Sequence, residues 1–336
     1  MSSCCVACSA TAGRGLADVS LVVYLPLALP ALFAPFAGPL SARLDPRHAT
    51  WLLTGAAVVL AGCSTLALGL LAAAAVVRVP LVASFGHWSL RVLGRDTPAG
   101  IAVALLATVL LGVAVLTVSG FVSRRCRALA GAYREARSLP GRGQTVVVAD
   151  EAADAYALPG WPGRIVVTAG MLSALDEPGR AALLAHEQAH LAGFHYLFTT
   201  AARLAATASP LLRPVARAVE YTVERWADER AASVVGDRRL VAHAIGRAAL
   251  AAKAGRRRRA TPVALGAVLS GARVLAHAGA GPVPRRVAAL LAPPPPPRLV
   301  LLAAVLALVA LAGICALEAA NDLQDLLSLA SVHLYH

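Results

Sequence analysis

Four long uncharged stretches, and a block of strand signals confined between the third and the fourth, predict a mainly α membrane protein with an α+β domain between its last two spans. The chain has 336 residues, of which 58% are apolar, and a mean hydropathy of +0.68. That composition exceeds what an ordinary soluble domain carries.

The apolar residues are clustered. Uncharged runs cover 24 residues between Asp18 and Arg43, 29 between His48 and Arg78, 27 between Asp96 and Arg124, and 19 between Arg298 and Glu318. About 20 residues cross the hydrocarbon core as a helix, so four transmembrane helices are predicted. The first contains Pro26, Pro30, Pro35 and Pro39, which predicts a bent or partly re-entrant span. The first apolar run is too long for the core of a signal peptide and lacks a basic flank, so no removable leader is expected.

Arginines set the orientation. Arg124, Arg125, Arg127, Arg134 and Arg137 follow the third run, and Arg256 to Arg259, Arg285, Arg286 and Arg298 precede the fourth. The tail carries Glu318, Asp322 and Asp325 with no Lys or Arg. The positive-inside rule then places the intervening domain in the cytosol of a multi-pass membrane protein, with both termini outside. The loop 78–96, with Arg78, Arg91 and Arg95, sits less comfortably outside. This divides the chain into an N-terminal membrane region with three transmembrane helices (1–123), a central domain (124–292), and a Pro-rich spacer with the fourth span and tail (293–336).

The net charge of +13 flanks the spans, where anionic lipid headgroups are the expected neighbours. The lipid bilayer is therefore the expected partner, and no nucleic acid is expected. Six cysteines are scattered. Cys63 and Cys315 fall inside predicted spans as small apolar residues, and Cys5 and Cys8 have no second pair with which to build a metal site.

Within the central domain, a basic amphipathic helix over about 123–138 leads to a turn at Pro140-Gly141. Thr145 to Val148 reads as a strand, and Tyr156 to Leu158 with Arg164 to Thr168 reads as a hairpin around Pro159-Gly160-Trp161-Pro162-Gly163. Asp176 is placed to cap a helix that starts with Glu177 and Pro178 and stops at Gly193. On that helix lies His186-Glu187-Gln188-Ala189-His190.

Four residues advance a helix by slightly more than one turn, so His186 and His190 share a face and can bind one tetrahedral zinc ion. Glu187 sits about 100° round the helix, where it flanks the ion and can take a proton from water and deliver it to a leaving amine. A third protein ligand is needed if one position is to stay open. The longer HExxHxxGxxH pattern would need a histidine at 196; that residue is Tyr196, and His195 misses by one, so that pattern is rejected. Glu220, Glu224, Asp228 and Glu229 lie on a second predicted helix, Val215 to Val235. Glu224 and Asp228 stand one turn apart, which lets Glu224 bind zinc while Asp228 accepts from the far nitrogen of a ligand histidine. The alternative is that these acids neutralise Arg225 and Arg230 on a solvated face.

The lead-in Ile165 to Leu172, the motif Leu183 to His190, the pair Glu224 and Asp228, and the arrangement of spans resemble the M56 family of integral-membrane zinc peptidases, the group that contains the antibiotic-sensor proteases. M48 peptidases are more distant relatives. The resemblance implies a gluzincin-type cytosolic protease domain with a zincin-like fold, in which His186, His190 and Glu224 hold Zn2+ and Glu187 is the catalytic base. It also implies a cytosolic protein substrate such as a transcriptional repressor. Two departures matter: His195 stands where relatives often have an acid, and the large extracellular penicillin-binding domain of the sensor proteases has no counterpart after Glu318. A role in β-lactam sensing is not expected. The competing expectations are an M48-like quality-control or processing protease, and a non-enzymatic regulator stabilised by zinc.

Ile165 to Thr168 is the expected edge strand for holding an extended substrate, or else a structural hairpin strand packed on the metal helix. Tyr221, His195 and His243 are the candidates for stabilising an oxyanion. Tyr196 to Leu212 is apolar but interrupted by Arg203 and Pro210. It is expected as part of a hydrophobic helix pair lying on the membrane, with a fifth span as the alternative. Pro293 to Pro297 is expected as a stiff extended spacer.

Overall fold

The computed structural model describes residues 16–76, 98–141, 143–161, 163–259, 283–296 and 298–332. The loop 78–96, the N-terminal cysteines and the side chains of Arg256 to Arg259 lie outside the described residues.

Among the described residues, four helices are long and apolar enough to cross a membrane: α1 (Leu16–Arg43), α2 (Pro46–Val76), α3 (Pro98–Ser138) and Leu299–Val332. They coincide with the four uncharged runs. The four prolines of α1 are accommodated in one continuous helix. Pro30 has no N–H to offer the carbonyl of Pro26, four residues earlier, and the Ser64 hydroxyl of α2 reaches that oxygen at 2.8 Å, sharing its proton with the Leu60 carbonyl of its own helix, also at 2.8 Å. A side chain of the neighbouring span thus supplies the missing bond, as an apolar environment requires.

The α3 helix runs without interruption into the domain. Its end is fastened by the buried Arg164, whose guanidinium donates to the carbonyls of Leu139 (2.8 Å), Gly141 (2.6 Å) and Gly143. A cation gathering the free carbonyls beyond a helix C-terminus is the favourable arrangement. Next come β1 (Thr145–Val148), β2 (Ala155–Leu158) and β3 (Arg164–Thr168), in the spatial order β1-β3-β2. β1 runs parallel to β3, with Val146 opposite Val166, and β2 runs antiparallel to it, with Tyr156 opposite Val166.

This order corrects one expectation. Ile165 to Thr168 is not an edge: β3 is paired on both sides and buried along its whole length. β2 is the edge beside the metal helix. A run of consecutive buried residues is what a central strand shows, and that pattern was already present in Ile165-Val166-Val167.

Thr168 ends β3 and caps α4 (Ala169–Ala174), its hydroxyl accepting from the Met171 N–H. Asp176 caps α5 (Glu177–Ala192) by accepting from Gly179 N–H at 3.1 Å, Pro178 lies in the first turn, and Gly193 ends the helix. Then follow α6 (His195–Ala208), a 3₁₀ turn (Pro210–Leu212), α7 (Arg213–Val235), α8 (Arg238–Arg259), α9 (Val283–Leu291) and the last span, α10 (Leu299–Val332).

The α6–α7 pair packs among the candidate spans, and α6, with 14 residues, is shorter than the four helices long and apolar enough to cross a membrane. Ala202, Ala205, Leu212, Val215 and Val219 share one core with Leu29, Phe33, Leu53 and Leu60 of α1 and α2 and with Val305 of α10. Two polar links register the wedge. Thr50 of α2 donates to Thr222 at 3.0 Å, and Arg225 donates to the carbonyl of Ser41 at 2.9 Å. Arg203, the charge that interrupts the apolar run, is paired with Glu220 across the two helices at 2.6 Å.

Candidate metal centre

α5 and α7 pack side by side, and the site forms where their facing sides meet. Ala182, Ala185 and Ala189 on α5 and Ala227 and Ala231 on α7 are buried, and these small residues let the two backbones approach. The histidines and acids then project across a short gap.

His186 Nε2 lies 3.1 Å from His190 Nε2, 3.6 Å from Glu224 Oε2, and His190 Nε2 lies 3.7 Å from Glu224 Oε1. The three residues offer donor atoms all within 4.8 Å of one another. Two nitrogens each about 2.05 Å from a tetrahedral zinc stand about 3.3 Å apart, so the set fits that ion. Behind it, His186 Nδ1 lies 3.0 Å from Asp228 Oδ1. Glu187 lines the same groove.

Sequence reasoning missed Arg286, which it read only as a topology signal. From α9 it enters the site buried, donating from Nε to Asp228 Oδ2 at 2.8 Å and from Nη2 to Asp228 Oδ1 at 2.5 Å, with Nη1 2.8 Å from Glu224 Oε2. Arg285 stands beside it in the same run, Val283 to Leu291, and only Arg286 of the two is buried, so no local signal in the sequence tells which arginine turns inward.

The electrostatics favour a cation between the two histidines. Burial opposes charge on His186, but the carboxylates of Asp228 and Glu224 outweigh it and hold its pKa up to about 10. Burial lowers the pKa of His190 to about 4, with Glu224 pulling against it and His186 and Arg286 reinforcing the fall. Burial would raise Glu224, yet Arg286 and the two histidines hold its carboxyl far below the ordinary range. Asp228 behaves likewise, with Arg286 the main cause opposing burial. Once His186 has given up its proton, the formal charges of Glu187, Glu224 and Asp228 against Arg286 leave −2, which one divalent ion would neutralise.

Of the oxyanion candidates, Tyr221 lies under the Arg285 guanidinium, 4.2 Å from its ring centre, and His243 is exposed; neither lines the groove. His195 does, as does Tyr196. The groove also takes in Asp154 to Ala157 at the β2 edge and reaches the Arg203–Glu220 pair on the wedge.

A helix-borne histidine pair with a third acid, a neighbouring glutamate and an edge strand alongside make a group of the kind that holds a metal ion in metallopeptidases, here in a chain with four candidate membrane helices. The family model for Peptidase family M48 matches residues 121–205, from the end of α3 into α6. The match supports a metallopeptidase; the family matched is the one named above as the more distant relative, and it gives M56 no preference. Comparisons with curated proteins and with solved structures find no match.

Proposed function

We propose that the protein is a membrane-bound zinc endopeptidase, with its catalytic domain at 124–292 in the cytosol, that processes or clears protein substrates in the manner of M48 peptidases. The observation that carries this is the convergence of His186, His190 and Glu224, with Asp228 behind His186 and Glu187 in the groove. The M48 match supports the peptidase chemistry, and the arginine distribution supports the cytosolic side. The repressor-cleaving role rests on the M56 resemblance alone.

In this reading His186, His190 and Glu224 hold the zinc, and Asp228 fixes the orientation of His186 while Arg286 anchors Asp228. A bound zinc supplies a Lewis acid that polarises the scissile carbonyl and makes water a better nucleophile at neutral pH. Glu187 takes the proton of the attacking water and gives it to the amine as the C–N bond breaks.

β2 holds the substrate. Thr168 N–H donates to Asp154 O at 3.0 Å, so in the antiparallel alternation Asp154, Tyr156 and Leu158 bond inward to β3. The N–H and C=O of Ala155 and Ala157 therefore face outward. An extended peptide pairing there is aligned through its backbone, and cleavage depends little on its side chains.

The test uses the full chain in lipid nanodiscs with an unfolded protein as substrate. Wild type should carry about one equivalent of zinc and cleave at many sites; a chelator should stop cleavage, zinc should restore it, and Glu187→Gln should keep the zinc and lose the cleavage. Zinc-loaded wild type as inert as Glu187→Gln would replace this reading with the non-enzymatic regulator.

A further inference from the structure

His195 faces the back of a candidate ligand. Its Nδ1 lies 3.0 Å from Nδ1 of His190, on the side of that ring away from Glu224 and His186, and the residue is 2% exposed. His190 can present an Nε2 lone pair to an ion only if its proton sits on Nδ1, and Nδ1–H then needs an acceptor. At His186 the corresponding place is filled by the Asp228 carboxylate. At His190 it is filled by an imidazole.

The chain bends to put it there. Phe194 takes a left-handed conformation, with φ 49°, the one positive φ outside glycine among the described residues. That turn sends the chain from α5 into α6 and swings the His195 ring back toward α5. A Cβ on Gly193 would stand 2.4 Å from His195 Nε2 and 3.0 Å from the Ala189 carbonyl oxygen, so a larger residue here would displace the imidazole. Strain and close approach of this kind mark positions held for a purpose beyond packing. His195 Nε2 is itself buried with no hydrogen-bond partner. An apolar side chain would fill the same space without burying an unpaired ring nitrogen, so packing alone does not account for a histidine.

A column of aromatic rings holds this imidazole from the other side. His195 packs on Trp226 of α7 (centroids 4.6 Å apart), Trp226 on Phe198 of α6 (5.9 Å), and Phe198 edge-on against Trp51 of α2 (4.7 Å). The column runs from a membrane span to the metal site.

We propose that His195 is the positioning residue of this metal centre: its Nδ1 accepts the Nδ1–H of His190, fixing the tautomer and ring angle that present Nε2 to the ion. The inference rests on the metal-centre reading above. It does not depend on what the site cleaves.

Cobalt(II) is the probe, titrated into the full chain in nanodiscs and followed by its visible absorption in competition with a chelator. The side-chain oxygen of an asparagine can occupy the place of the imidazole Nδ1, whereas a glutamine displaces its acceptor by one bond and a phenylalanine has none. His195→Asn should bind cobalt within about threefold of wild type, while His195→Gln and His195→Phe should bind about 10- to 100-fold more weakly, with a shifted absorption band. Melting of the metal-free proteins should not follow that order. If His195→Phe fails to fold, the Asn and Gln variants decide between them. Equal affinity in wild type, Gln and Phe variants, or an Asn variant as weak as the Gln one, overturns the proposal. Wild type that takes up no cobalt overturns the metal-centre reading instead, and wild type that binds cobalt but cleaves nothing overturns only the peptidase reading.

Discussion

Arg286 and Asp228, which come from helices far apart in sequence, meet through two hydrogen bonds, Nε to Oδ2 at 2.8 Å and Nη2 to Oδ1 at 2.5 Å. Both side chains are nearly inaccessible to solvent. Removing one partner of such a pair leaves the other charged and unsolvated, at a cost of about 3–5 kcal/mol. Arg286→Met should therefore lower the stability of the metal-free protein by roughly that amount in chemical denaturation, whereas Asp228→Asn should cost less, because Arg286 keeps Glu224 at 2.8 Å. The double variant should lose markedly less than the sum. Additive losses would show that the pair contributes nothing as a pair.

The outward N–H of Ala157 makes a separate claim testable. Ala157→Pro deletes a donor that the β2–β3 ladder does not use, on an edge strand where proline is tolerated. Thermal unfolding should shift little, whereas kcat/KM for unfolded substrates should fall by about tenfold, the equivalent of one hydrogen bond. Unchanged kcat/KM with unchanged stability would remove β2 from substrate binding.

The bond from Ser64 to the carbonyl of Pro26 exists because Pro30 lacks an N–H. Ser64→Ala should destabilise the helix bundle by about 1–2 kcal/mol in a detergent unfolding assay. In a Pro30→Ala background the helix supplies its own donor, and the same serine substitution should be close to silent. A serine effect of equal size in both backgrounds would contradict this account.

Gly170 lies in the first turn of α4 with its Cα pressed against the chain at Glu151. A Cβ there would lie 2.0 Å from the Glu151 carbonyl oxygen and 2.5 Å from its carbon, both backbone atoms. Gly170→Ala must push the 150–152 segment away from α4, and overpacking of this kind costs about 1–3 kcal/mol. The melting temperature should drop by several degrees, while Gly236→Asn, at a left-handed helix end with open space around it, should be nearly neutral.

Much of this was legible in the sequence because it is written locally. The spans follow from charge-free length, α5 from Asp176, Pro178 and Gly193, and the facing of His186 and His190 from helical spacing. Glu224 and Asp228 could be singled out because one turn of helix separates them. What escaped was tertiary. Strand order is decided by pairing, so β3 could be mistaken for an edge although its unbroken apolar run pointed inward. Arg286 lies some sixty residues from the acids it binds, and no local pattern pairs them. The apolar segment after α5 is too short to span, and its wedging among α1, α2 and α10 follows from the shape of a cleft that those helices create together.

The wedge has a bearing on biosynthesis. α7 bears both Glu224 and Asp228, its other end is seated by the first two spans, and the guanidinium behind Asp228 belongs to residue 286, just ahead of the last span. During translation the histidines emerge first, without their acids or the clamp that secures them. A partly synthesised chain therefore lacks both carboxylates of the candidate site until α7 is made, and the cation that pairs with them until α9 is made.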